Sequence, residues 1–349
     1  MTKRNSTIVE KINAMLEDES ADIEKVSARG KLAYKVVKIT SHLPEIGPAN
    51  QNGELRKIKT EHEKKWVCPQ GYKLRKHRMK NFTMDVLEKL GDVEVFGEEA
   101  GAAQSAAEDE GTGYILQLHG GGYYGTFNNT YRDMAVCYSI VSGGMVVISP
   151  DYRVAPVNPY PAALEDAFEA YKWIMKKIDK REKESGKRLK LIVAGDSAGG
   201  GLSLALTLYL KENNLRLPDG IITMSAWTDL TKSGASYDDN YKTDPLFGGS
   251  RETLVYKEGY YAGSDPKDPH ISPCFADYTG FPKMLMQVGE HEMLLSDSQR
   301  VYVKAIEAGA TCRLHIYPGM FHEFQMGIGL YPEAGMAWRE IREWIDKLE

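Results

Sequence analysis

From residue 114 onward short apolar runs alternate with helical stretches, and that alternation narrows the fold more than any other feature of the chain. "YILQLH", "GMVVISPDY", "LKLIVAGDS", "DGIITMSAW", "PKMLMQVGE" and "CRLHIYPG" have strand length. Between them "YRDMAVCYSIVS", "PAALEDAFEAYKWIMKKIDK", "AGGGLSLALTLYLKE" and "SDSQRVYVKAIEAGA" carry apolar residues at helical spacing. Short strands alternating with helices of this length predict an α/β fold, a mostly parallel sheet covered on both faces. In such sheets chemistry gathers at the carboxyl ends of the strands.

The first 60 residues read differently, as charged amphipathic helix broken by "LPEIGPANQNG", and suit a lid or cap. "GEEAGAAQSAAEDEGTG" (97–113) is small and acidic and reads as an exposed connector. Forty-four Lys and Arg against 49 Asp and Glu leave a net charge of −5, with no basic excess to hold a nucleic-acid backbone. No apolar leader and no membrane-spanning run is readable, so a cytoplasmic protein is expected. Cys68, Cys137, Cys274 and Cys312 stand singly, which argues against a zinc site and suits reduced thiols.

Two glycine-rich segments fall at strand ends. "GDSAGG" fits G-x-S-x-G, with the strand "LIVA" before it and a periodic helix after it. Glycines on either side of Ser197 permit a sharp turn that leaves its hydroxyl exposed at a helix N-terminus. "HGGGYYG" ends an earlier strand, and three successive glycines let bare N–H groups approach a ligand closely, as a tetrahedral oxyanion requires. The expected donors are Gly121, Gly122 and Ala198. Asp196, beside the nucleophile, reads as a turn residue bonded to nearby backbone.

A serine nucleophile needs a base, and the chain has eight histidines. His42, His62 and His77 lie in charged amino-terminal sequence, His119 starts the glycine loop, His270 sits in a Pro-rich turn and His315 lies inside a strand-like run. His322 in "YPGMFHEF" follows a strand and a Pro-Gly turn near the carboxyl end, in the chain order Ser, acid, His. The acid is less defined. "VGEHEMLLSD" offers Glu290, His291, Glu292 and Asp297 after one strand. Ser296 and Gln299 read as an S-x-x-Q capping box, which places Asp297 in the first turn of the next helix.

"HGGG", "SPDYRVAPVNPYPAALED", "GDSAGG", "SAWTDLT", "DPKDPHISPCFAD" and "YPGMFHEF", in this order and spacing, resemble the hormone-sensitive-lipase-like branch of the α/β-hydrolase esterases. The resemblance implies a hydrolase sheet over 61–349 and a helical cap made of segment 1–60 plus an insertion at 231–268. It implies scaffold roles for Tyr152, Arg153, Pro156, Pro161 and Asp166. It also puts Glu292 where the family carries its catalytic Asp, leaving Glu290 and Asp297 as alternatives. The function implied is a serine carboxylesterase for short- to medium-chain acyl esters, without metal or cofactor. Tyr123, Tyr124, Phe127 and Trp227 are apolar candidates for the pocket wall. An amidase, a deacetylase of a small molecule or sugar, and a hydrolase-like binding protein are the rival readings. Pairing of two copies through the edge strand at "CRLHIYPG" is the expected assembly.

Overall fold

The computed structural model describes residues 7–20, 22, 24–41, 66–90 and 113–348. The loop "LPEIGPANQNG", most of the acidic connector, His42 and His62 lie outside the described residues. Among the described residues eight strands form one sheet: β1 Tyr72–Arg78, β2 Thr83–Lys89, β3 Gly113–Leu118, β4 Val146–Asp151, β5 Lys190–Asp196, β6 Gly220–Met224, β7 Lys283–Gly289 and β8 Cys312–Tyr317. Their spatial order is β1-β2-β4-β3-β5-β6-β7-β8, with β1 and β2 antiparallel to their neighbours and every other pair parallel. The helices are α1 Ile8–Glu17, α2 Ala28–Thr40, α3 Asn129–Val141, α4 Ala162–Ser185, α5 Ser197–Glu212, α6 Ser236–Asp239, α7 Leu295–Glu307 and α8 Pro332–Asp346.

Strand residues alternate between two cores. Tyr114, Leu116 and Leu118 of β3 pack beneath α4 and α5, while Ile115 enters the opposite core with α3 and α8. All six residues of β3 are buried, as expected of a parallel strand covered on both faces. The edge strand β1 is different. Its sequence "YKLRKHR" is largely basic and exposed, which blunts a free sheet edge and hides the strand from an apolar-run reading.

The two amino-terminal helices do different work. Thr7 and Glu10 close a capping box at the start of α1, whose Ile12, Met15 and Leu16 are buried in the same core as Ala334 and Trp338 of α8. Arg339 donates to the carbonyls of Met15 and Asp18 at 3.2 and 2.6 Å, satisfying acceptors at the helix end. Helix α2 instead reaches the stretch 231–268: the Tyr34 hydroxyl donates to the Thr243 carbonyl at 2.6 Å and Ser41 donates to the Pro245 carbonyl. So α1 is packed into the body of the sheet protein, and among the described residues of segment 1–60 it is α2 that touches the other expected cap piece. No helix among the described residues is long and apolar enough to cross a membrane.

Because Ile12 is fully buried, Ile12→Ala should destabilise the whole fold by about 2–4 kcal/mol, seen as a lower urea midpoint in a single transition. A wild-type midpoint would mean that α1 contributes nothing to the main core.

Candidate active site

The sheet order sets where the site forms. From β3 the chain goes to β4 on one side and to β5 on the other, so the loops leaving β3 and β5 part at a crevice between neighbouring strand ends. Leu118 pairs with Gly195 there, which brings the glycine loop and the nucleophile turn side by side. Ser197 begins α5 with φ of 49°, a left-handed conformation held between strand and helix. Gly199 makes the fit possible, since a Cβ on it would lie 2.0 Å from the Leu118 carbonyl oxygen.

The loop after β3 turns through Gly121 and Gly122, with φ of 102° and 62°, values that favour glycine. Tyr124 and Gly125 donate their N–H groups back to the Gly121 carbonyl at 3.0 and 2.8 Å. The N–H groups of Gly121 and Gly122 have no acceptor among the described residues, and Ala198 lies in the first turn of α5, where N–H groups lack helical partners. Three free donors around Ser197 can hold an oxyanion. His119 contributes packing: its ring stacks on Tyr152 at 4.0 Å, and burial pushes its pKa down to about 4.

His322 reaches Ser197 from β8, three strands away from β5, a distance of about 14 Å at ordinary strand spacing. Its Nε2 lies 3.0 Å from Ser197 Oγ, and its Nδ1 lies 3.0 Å from Glu292 Oε2. Glu292 is fully buried. Its Oε1 accepts the Ser225 hydroxyl at 2.7 Å and the Gly289 N–H. Ser225, the first residue after β6, was not singled out from sequence, and its only local signal is a polar residue at a strand's carboxyl end. Burial opposes charge on His322, but the Glu292 hydrogen bond and then the Glu323 carboxylate overcome it and raise its pKa to about 8. Burial lifts the Glu292 carboxyl, with the histidine pulling the other way. The set can pass a proton from Ser197 to a histidine held by an ion partner.

The other acids near β7 have separate tasks. Glu290 is exposed and accepts the Gly319 N–H at 2.8 Å, bracing the loop that leads to His322. Asp297 does lie in the first turn of α7, but the capping box does not form: the helix starts at Leu295, and the Ser296 hydroxyl pairs with Ser236 at 2.6 Å. Asp297 is fully buried and accepts the N–H groups of Thr228 and Asp229, both at 2.8 Å, so it pins the loop after β6. Asp196 is buried, and no donor among the described residues pairs with either of its carboxyl oxygens in good geometry.

Of the expected wall residues, Tyr123 and Trp227 are closed from solvent and belong to the core under α4 and α5. Tyr123 stacks on Tyr260 at 3.6 Å, and Trp227 donates its backbone N–H to the Ser197 carbonyl at 2.8 Å. Tyr124 is half-buried, and its hydroxyl accepts the Gly259 N–H. Phe127 packs toward His119 and Tyr131. Two residues of the 231–268 stretch also reach the site: Phe247, whose ring lies 4.6 Å from that of His322, and Leu254, against Gly122. Ser197 and His322 are each 4% exposed, so this cover nearly seals the centre.

Comparison with known proteins bears on the family and the fold. A family model described as alpha/beta hydrolase fold matches residues 115–326. The chain is similar to an esterase of Acinetobacter venetianus, 37% identical over 258 residues that cover 73% of this chain and 80% of that one. Among solved structures it is similar to an esterase from the bacterial hormone-sensitive lipase (HSL) family, with TM-score 0.74, 26% identity and coverage of 93% and 99%. It is also similar to the esterase EstE5, whose crystal was soaked by p-nitrophenyl butyrate, with TM-score 0.74, 27% identity and the same coverage.

Proposed function

The chain belongs to the α/β-hydrolase-fold family, in its bacterial hormone-sensitive-lipase-like branch, and from that premise we propose that it is a serine carboxylesterase acting through Ser197, His322 and Glu292. The observation that carries the reading is the line of contacts Ser197 Oγ, His322 Nε2, His322 Nδ1 and Glu292 Oε2, with 3.0 Å at each hydrogen bond. Neutral His322 takes the Ser197 proton as Oγ attacks the ester carbonyl, and Glu292 stabilises the histidinium. The oxyanion receives the N–H groups of Gly121, Gly122 and Ala198. The intermediate collapses when His322 protonates the departing alcohol, and water, activated by the same histidine, then releases the acid and frees Ser197.

The substrate in this reading is a small ester with a short to medium acyl chain. The cover of Phe247 and Leu254 over a nearly sealed centre leaves little room for a long chain, and EstE5 was soaked with a butyrate ester. The cap is α2 together with the 231–268 stretch. The enzyme works in the cytoplasm, and a second copy pairs along β8, where the sheet ends.

Acetyl to hexanoyl p-nitrophenyl esters should be turned over and longer chains progressively less, with Ser197→Ala reducing the rate to background. Highest turnover at C12 or longer would overturn the size assignment, and equal rates in wild type and Ser197→Ala would favour a binding protein. Glu292→Gln should lower kcat by about 10²- to 10⁴-fold while circular dichroism stays unchanged; near-normal activity would remove Glu292 from the triad. His322 must be neutral to act as a base, and its pKa is raised to about 8. Hence kcat/KM should climb with pH to a plateau with its midpoint near 8, falling roughly tenfold per unit well below it. A flat profile from pH 6 to 9 would contradict the assignment.

A further inference from the structure

Two carboxyl groups converge beside the nucleophile from different elements. Asp196 ends β5 just before Ser197 and is 1% exposed. Glu323 directly follows His322, and its Oε1 lies 3.8 Å from His322 Nε2, the nitrogen that faces Ser197. Gly120 shows how tightly the pair meets, since a Cβ built on it would lie 2.2 Å from Asp196 Oδ2 and 2.6 Å from Glu323 Oε1. Both carboxyls thus crowd one point beside Gly120, and no donor among the described residues pairs in good geometry with either Asp196 oxygen, so a proton on one of the two acids would let them share a hydrogen bond.

Two facing carboxylates in a low-dielectric site cannot both be ionised. Burial, and then the Glu323 charge, push the Asp196 carboxyl well above the ordinary range, whereas the Glu323 side chain keeps 19% exposure. The proton therefore belongs on Asp196, the more deeply buried of the two. The rings packed around Asp196 supply no countercharge. Tyr131 and Tyr138 of α3 and Tyr152 after β4 are kept neutral by burial, and the His119 ring is neutral as well. Glu292 and Asp244 face His322 from beyond β7 and from the cover, each adding negative charge. The backbone fixes the position: Glu323 is left-handed, with φ of 56° and ψ of 32°, and its N–H donates to the same Ser225 hydroxyl that serves Glu292.

We propose that Glu323 is a second carboxylate acting on His322, from the Nε2 side opposite Glu292, and that Asp196 holds it there by donating the shared proton. Nε2 receives the Ser197 proton, so a carboxylate beside it favours the histidinium as that charge develops. Glu323 is a positioning residue in this scheme, because it works through His322 and does not meet the ester. The proposal rests on the triad reading above.

The test compares the pH dependence of kcat/KM for p-nitrophenyl acetate with that of Ser197 labelling by a fluorophosphonate, which reads the histidine without a deacylation step. Glu323→Gln should move the midpoint down by about 0.5–1 pH unit in both readouts, the sign expected when a charge favouring histidinium is removed. Glu323→Asp, which keeps the charge, should restore most of the shift. Asp196→Asn should keep the midpoint within about 0.2 unit of wild type, since an amide N–H replaces the carboxyl proton as donor to Glu323. If Glu323→Gln does not fold, Asp196→Ala decides the matter: it removes the donor, so the midpoint must fall, and Asp196→Asn must not reproduce the fall. A wild-type midpoint in folded Glu323→Gln, or a shift in Asp196→Asn equal to that of Glu323→Gln, overturns the proposal. Ser197→Ala separates the two failures, because retained esterase activity in it sinks the triad reading, while an inactive Ser197→Ala beside an unshifted Glu323→Gln sinks this proposal alone.

Discussion

A carboxylate with no exposed surface must find all its hydrogen bonds inside the protein, and the carboxyl end of the sheet is organised around that need in Glu292. Its donors come from three different places: Ser225 after β6, the Gly289 N–H at the end of β7 and His322 beyond β8. The loop that carries it is fixed from above as well. Asn240 donates to the carbonyls of Glu290 and Glu292, and Asp244 accepts the Met293 N–H. The stretch that covers the centre is thereby tied to the acid that orients the histidine, so a change in the cover reaches the proton-transfer geometry without touching it directly.

What could be read from sequence follows from how local each signal is. Strands β3 to β8 stand out because strands buried on both faces appear as continuous apolar runs, and the two glycine segments stand out because close backbone approach excludes other residues. His322 was isolated by setting and chain order. Glu292 needed the family resemblance, since nothing local separates it from Glu290 or Asp297. Strand β1 was missed because its pairing with β2 leaves its basic side chains outside the core.

The capping box missed at Ser296 and the acid neighbour unforeseen at Asp196 share one cause. Local rules assign a serine three residues before a glutamine to a helix cap, and an aspartate in a turn to neighbouring backbone. In the folded chain Ser236 claims the Ser296 hydroxyl, and Glu323 converges with the Asp196 carboxyl beside Gly120. Both partners are distant in sequence, and both interactions lie in buried surroundings where a polar pair outweighs a marginal local preference. A rule based on near neighbours has no access to either.

Backbone strain marks the same region independently of chemistry. Among the described residues six non-glycine residues have positive φ: Tyr123, Ser197, Asn214, Ser225, Lys232 and Glu323. Four of them, Tyr123, Ser197, Ser225 and Glu323, occupy turns that leave β3, β5, β6 and β8 around one centre. Each such conformation costs on the order of 1–3 kcal/mol, and glycine would relieve it. Glycine would also delete the nucleophile hydroxyl at Ser197, the donor to Glu292 at Ser225, the carboxylate beside His322 at Glu323 and the ring stacked on Tyr260 at Tyr123. The strain persists at these four positions because each side chain is used there, and the rigid parallel strands on which the turns are built can hold a conformation that a free loop would relax.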